Sequence, residues 1–318
     1  MSSLLVASSG GHLAELHRLA PRLPPRLAPT VWVTNDSMQS RSLLHGEAVV
    51  FVPYQGSRNM SATAANALRA ARILKRYSPA SVVSTGSGIA LAFLPLATAL
   101  GATCHYIESG TRVRSPSVTG ALLSRLPGIR CYTQHPERTA RNWNFGGSVF
   151  EGFQVAPVAA PPASIRRAAV MLGTWRQPFR RLVEHLLTIL PPGVDTVWQT
   201  GFTDVSDLPI EAQPWLSPQQ LSSAMSRADV VVTHAGMGTV LDALDAGRLP
   251  IIVPRRACFN EQVDDHQVEL ATALAARGLA LARQPEEITN EQLLQAAAYG
   301  VTQPRPLPPF ALLPHRTG

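Results

Sequence analysis

The stretch VVVTHAGMGTVLDAL, residues 230–244, decides how the rest of the chain is read. Val230, Val231 and Val232 form an unbroken apolar run, the pattern of a strand buried on both faces of a parallel sheet. Val240, Leu241 and Leu244 recur at helical spacing. Between the two patterns lie His234, Gly236 and Gly238. Glycine admits close backbone approach and dihedrals that other residues avoid. A strand that turns directly into a helix leaves unpaired N–H groups and the positive end of the helix dipole at the turn, a setting for an anion and above all for phosphate. A tight turn without a ligand has the same composition, so the stretch needs the company of others.

Working outward, the chain reads twice as strand, loop and helix in alternation. Leu4–Ala7 leads to Gly10 and Gly11 and then to a helix with Leu13, Leu16 and Leu19 on one face. Strands follow at 30–35, 48–54, 80–88 and 104–109, with an arginine-bearing helix at 60–77. The pattern restarts at 167–175 and continues through 195–201, 229–236 and 249–255. The proline- and alanine-rich 153–164 reads as a linker. This divides the chain into a first domain at 1–152, a second at 165–300 and a proline-rich tail at 301–318 that lies back on the first. Strand–helix alternation implies α/β folding with parallel sheets covered on both faces, and ligands in such sheets sit beyond the carboxyl ends of the strands. Glycine loops at 9–12, 85–88, 172–174 and 234–238 fall at such ends.

Composition narrows the function classes. The 318 residues are 45% hydrophobic and 15% charged, a globular chain able to form two ordinary domains. The opening residues have no basic segment ahead of an apolar one, so no secretory signal is expected. The longest apolar stretch, 88–102, is short for a membrane span and contains Pro95, which favours a buried helix. Three cysteines without C-x-x-C spacing point to a reducing cytoplasm and away from structural zinc. Charge is uneven: residues 1–152 hold 15 Lys and Arg against 6 Asp and Glu, and residues 153–318 hold 13 against 15. A basic half suits an anionic membrane surface or a phosphorylated substrate, or is a solvated surface without a partner. No nucleic-acid module is visible, and no nucleic-acid partner is expected.

Six stretches, in order, resemble the nucleotide-sugar glycosyltransferases related to family 28. The first half, in SSGGHLAEL (8–16), STGSG (84–88) and YIESGTRVRSPSVTG (106–120), is similar to the acceptor-side partner of the two-part N-acetylglucosaminyltransferase of the dolichol pathway. The second half, in LGTWRQPFRRLV (172–183), ADVVVTHAGMGTVLDAL (228–244) and VPRRACFNEQVDDHQVELA (253–271), is similar to its donor-side partner. The chain also resembles bacterial pairs or fusions that extend lipid-linked sugars for exopolysaccharide and capsule. The resemblance implies a GT-B fold, two doubly wound Rossmann-like domains facing a cleft. It implies an inverting hexosyl- or glucuronosyltransferase that moves sugar from a UDP-sugar to a polyprenyl-diphosphate-linked sugar. The enzyme would sit peripherally on the inner face of the plasma membrane, since the dolichol-pathway partner's membrane anchor has no counterpart. The last of these stretches is closer to the exopolysaccharide members, which favours glucuronic acid or a neutral hexose over N-acetylhexosamine. A UDP-sugar epimerase and a non-catalytic sugar-nucleotide-binding partner are the alternatives.

The same resemblance assigns roles. Gly236, Gly238 and Thr239 would cradle the diphosphate, with His234 adding a hydrogen bond and Gly173 and Thr174 forming a second loop. Gln267 and Glu269 match positions near sugar or ribose hydroxyls, with Asp264 or Asp265 as a helix cap. Arg255 and Arg256 are either solvated or paired with phosphate or a donor carboxylate. A base of near-neutral pKa is needed on the acceptor side, which makes His12 the first candidate and Glu108 the second. Gly10, Gly11, Arg112 and Arg114 would hold the acceptor and its lipid diphosphate. No Asp-x-Asp motif is present, so neither a metal nor a cofactor is expected, the UDP-sugar being substrate.

Overall fold

The computed structural model describes residues 2–54, 60–174, 176–262 and 265–313, with side chains at all but 26 and 60–65. Trp175, Asp264 and the last five residues of the tail lie outside them. The chain divides into two units. One holds the residues up to Glu151 together with the chain from Pro306; the other is Gly152–Arg305.

The first unit contains β1 (Ser3–Ala7), β2 (Thr30–Asn35), β3 (Val49–Val52), β4 (Ser81–Gly86), β5 (Thr103–Ile107), β6 (Ile129–Thr133) and β7 (Trp143–Phe145). They form one sheet in the order β3-β2-β1-β4-β5-β6-β7, each neighbouring pair parallel. The connecting helices are α1 (Gly11–Leu19), α2 (Met38–Leu43), α3 (Met60–Tyr77), α4 (Gly88–Ala99) and α5 (Val118–Leu123). Leu4, Val6, Val82, Phe93 and Tyr106 belong to its main core. The apolar 88–102 stretch is α4, its Ile89, Ala92 and Phe93 buried. Tyr132 points away from that core, as alternation along β6 requires. The tail covers it: Phe310 is buried edge-to-face on Tyr132 at 5.9 Å, and the Leu313 N–H donates to the Tyr132 hydroxyl at 3.0 Å. Arg22 fastens the tail by donating to Pro308 O at 2.9 Å and accepting from the Phe310 N–H at 2.8 Å.

In the second unit Gln154–Pro157, inside the stretch read as a linker, is a strand, β8. It pairs antiparallel with Tyr299–Thr302, the last strand of the chain, with Pro157 at the end of the ribbon where its missing N–H costs nothing. Between them run β9 (Arg167–Met171), β10 (Asp195–Gln199), β11 (Ala212–Gln213), β12 (Val230–His234), β13 (Ile251–Val253) and β14 (Leu281–Ala282). These form a parallel sheet in the order β11-β10-β9-β12-β13-β14. Its helices are α6 (Arg180–Ile189), α7 (Pro218–Arg227), α8 (Met237–Asp245), α9 (His266–Ala276) and α10 (Asn290–Ala297). Val170, Leu172, Phe179, Val232 and Val253 are among the residues of its core.

Strand order reverses between β1 and β4 in one unit and between β9 and β12 in the other, which makes those strand ends the places for ligands. The helices that leave them, α1, α4, α6 and α8, have no side-chain cap, and neither has α9. By contrast α2, α5 and α7 are capped by Ser37, Ser117 and Ser217. A cap satisfies an N–H that the helix itself leaves unpaired. No side chain plays that part at the switch strands.

Candidate active site

In the second unit the opening stretch resolves into a histidine clamped by glycines. His234 ends β12 with its side chain buried, and its Nδ1 lies 3.3 Å from the Met171 carbonyl at the end of β9. A carbonyl only accepts, so Nδ1 carries the proton. A Cβ on Gly173 would fall 2.3 Å from the ring's Cε1, and one on Gly236 would fall 2.0 Å from Nε2. These glycines are therefore required by the ring between them. Gly236 itself has an ordinary φ of −92°.

Burial, and next the Arg255 guanidinium, push the His234 pKa down to about 3. The ring is neutral and offers a lone pair at Nε2. In this form Nε2 accepts a hydrogen bond and does not donate one. Two more expected donors are also engaged. The Gly236 N–H donates to His234 O at 2.8 Å, and the Gly173 N–H to Gln199 Oε1 at 3.0 Å. The amides that α8 leaves unpaired in its first turn are those of Met237, Gly238 and Thr239. Thr174 stands exposed after Gly173.

Arg255 is not solvated. It is buried, donates to Gln177 O at 2.6 Å and Leu172 O at 2.9 Å, and stacks over Phe179 at 4.9 Å. Burial lowers its pKa to about 10, so it keeps its charge at neutral pH. It ties the loop after β9 to the loop after β13. Gln267 joins this arrangement, its amide oxygen accepting the Arg255 N–H at 3.0 Å. Glu269 lies in the same first turn of α9, half-buried. Asp265 occupies the N-cap position without capping and accepts the Ala257 N–H at 3.0 Å instead. Arg256 is half-exposed.

Sequence reasoning missed Gln199, which braces Gly173 on both sides and also donates to Pro214 O at 2.8 Å. A polar residue closing an apolar strand before Gly201 was its signal. It also missed an edge-to-face pair at 5.4 Å, Phe202 and Trp215, 53% and 48% exposed just past β10 and β11.

In the first unit His12 sits in the first turn of α1. Its Nδ1 is 2.8 Å from Thr85 O, and Thr85 Oγ1 donates back to His12 O at 2.7 Å. The proton again belongs on Nδ1, and in the neutral ring Nε2 is the basic nitrogen. Gly86, at φ +102°, passes close beside the ring, where a Cβ would be 3.3 Å from Cε1. Ser8 and Ser87 close the same switch point, their hydroxyls 3.1 Å apart. Gly10 does not offer its amide to an acceptor, because Gln39 takes it at 2.6 Å. Gly11 opens the helix, half-buried.

Glu108, the second candidate base, directly follows β5. It is buried, and its carboxylate accepts from the Tyr106 hydroxyl at 2.9 Å, the Ser117 N–H at 2.8 Å and the Ser117 hydroxyl. It holds the far end of the loop that carries Arg112, half-buried, and Arg114, exposed. A second carboxylate, Glu15, escaped the sequence reading. It is fully buried one turn beyond His12 among leucines, and burial raises its pKa to about 7. A glutamate between core leucines Leu13, Leu16 and Leu19 was the available signal.

With this geometry in view the comparisons are specific. Residues 196–302 match the Glycosyltransferase family 28 C-terminal domain. The UDP-N-acetylglucosamine–N-acetylmuramyl-(pentapeptide) pyrophosphoryl-undecaprenol N-acetylglucosamine transferase of Chlorobium luteolum is 26% identical over 250 residues. That match covers 73% of this chain and 66% of the relative, just under two thirds of its length. The protein of the same name from Cupriavidus necator is 25% identical across 95% of this chain and 89% of its own. The crystal structure of Acinetobacter baumannii MurG, 20% identical, covers 93% of this chain and 89% of that one with a TM-score of 0.59. The chain has the GT-B fold, and its residues 196–302 are similar to the C-terminal domain of glycosyltransferase family 28.

Proposed function

We propose that the protein transfers a sugar from a UDP-sugar to a lipid-linked sugar with inversion, in one displacement. The observation that carries this reading is the uncapped start of α8 at a switch strand, inside the segment that matches family 28. The amides of Met237, Gly238 and Thr239 would meet the diphosphate where charge grows as the bond from C1 to the diphosphate oxygen breaks, which lowers the barrier. Gln267 and Glu269 would meet sugar or ribose hydroxyls, and Phe202 with Trp215 would offer an aromatic surface to the base. His12 Nε2 would take the proton from the attacking hydroxyl. Arg112 and Arg114 would face the acceptor's diphosphate.

The two relatives are named for UDP-N-acetylglucosamine. The enclosure of Arg255 removes one of two guanidiniums that a uronate carboxylate would seek, so the reading moves toward a neutral sugar. Charge on the leaving group falls to backbone amides in this account, and transfer is expected to survive EDTA; a loss restored only by magnesium or manganese would contradict it.

The decisive assay incubates the protein with labelled UDP-N-acetylglucosamine, UDP-glucose and UDP-glucuronic acid, with and without membrane lipid extract. Label entering the lipid fraction is expected. A changed sugar on UDP would favour the epimerase, and binding without turnover a sugar-nucleotide-binding partner.

A further inference from the structure

Glu15 is the least expected group in the first unit. A leucine at this position would extend the face made by Leu13, Leu16 and Leu19, whereas a buried carboxylate is costly unless its hydrogen bonds are complete. They are. Glu15 Oε1 accepts the Ser109 hydroxyl at 2.6 Å, and Oε2 accepts the Gly110 N–H at 2.9 Å and the Gln134 side-chain amide at 2.6 Å. Each partner reaches further. Ser109 Oγ accepts the Thr111 N–H at 3.2 Å. Gln134 also donates to Glu108 O at 3.1 Å and accepts the Val149 N–H at 2.9 Å. One carboxylate on α1 thus ties down the segments after β5 and β6.

We infer that Glu15 is a positioning residue for transfer, holding the 109–114 segment, with Arg112 and Arg114, in a fixed place relative to His12 on the same helix. The inference rests on the function proposed above. His12 and Glu15 are three residues apart on α1, so the carboxylate joins the loop to the face of the helix that carries His12. Three donors converge on its two oxygens, an arrangement that the ionised form satisfies. The titratable groups around it are Glu108, hydrogen-bonded to Tyr106, on the β5 side and His135, whose Nε2 lies 2.8 Å from Gly110 O, on the β6 side. The shared Ser109, its hydroxyl on Glu15 and its N–H on Glu108 at 3.3 Å, couples the two carboxylates.

The test compares wild type with Glu15→Gln, which keeps the shape, and Ser109→Ala, which leaves the helix untouched. Amide hydrogen exchange across 109–114 is measured beside transfer kinetics and UDP affinity. Exchange in Glu15→Gln should be at least tenfold faster than in wild type. The variant should raise KM for the lipid acceptor about tenfold or more and leave UDP affinity within twofold, with Ser109→Ala changing both in the same direction. Unchanged exchange and kinetics in both variants, or an equal loss of UDP affinity, would overturn the inference. Should Glu15→Gln fail to fold, Ser109→Ala decides alone. Should wild type transfer no sugar, the functional reading falls, while the exchange data still decide whether Glu15 holds the loop.

Discussion

His234 and its two glycines give the sharpest case at the level of single residues. An added methyl at Gly236 meets the imidazole and not open space. Gly236→Ala should therefore destabilise the protein by about 1–3 kcal/mol, the usual cost of overpacking. His234→Ala in the same chain should recover most of that loss. A thermal-unfolding double-mutant cycle with purely additive effects would show that the ring is not the obstacle. Two buried groups also set opposing pH dependences. The pKa of His234 falls from 6.5 to about 3 on folding, so its contribution is present above 6.5 and is lost as pH falls toward 3. That of Glu15 rises from 4.5 to about 7, so its contribution is present below 4.5 and is lost as pH rises through 7. Between pH 4.5 and 6.5 the two slopes oppose each other. Glu15→Gln should steepen the gain of stability with rising pH in that window, measured by denaturant unfolding; a flatter profile would contradict the assignment.

Helix starts, taken as elements, separate function from scaffold. Capped helices begin away from the switch strands, and α1, α4, α6 and α8 begin on them uncapped. A carboxylate in the first turn of α8 would stabilise the helix by about 0.3–1 kcal/mol through its dipole while repelling a diphosphate. Thr239→Glu should accordingly keep or raise the melting temperature and weaken UDP binding at least tenfold by calorimetry; undiminished binding would take the phosphate role from this helix. Much of this layer was legible in the sequence. The apolar run of β12, the helix at 60–77 and the glycine loops announce themselves through local periodicity. The strand Gln154–Pro157 did not, because its partner lies far along the chain and its prolines imitate a linker. Candidate site residues were legible by type and place. Their direction was not: Glu108 and Arg255 turn inward to satisfy loops, and Gly10, Gly173 and Gly236 have their amides taken by neighbours that only the fold supplies.

For the molecule as a whole, charge and hydropathy bear on where it works. No described helix is long and apolar enough to cross a membrane. On α3, Leu68, Arg69, Arg72, Lys75 and Arg76 are exposed together, and α5 exposes Val118 and Leu122. Each basic group near an anionic surface adds about 1 kcal/mol of attraction. Flotation with anionic liposomes should recover the protein at low salt and release it at high salt, and Arg72, Lys75 and Arg76 changed together to Gln should weaken recovery. Equal recovery on neutral liposomes would count against electrostatic docking. The proposed transfer of sugar to lipid, with His12 as the base, is met most directly by one paired measurement on wild type and His12→Gln. Transfer of labelled sugar to lipid should fall by about 10²–10⁴-fold, the range for loss of a general base, with UDP affinity unchanged on the same samples. Transfer by the variant at the wild-type rate would contradict the account.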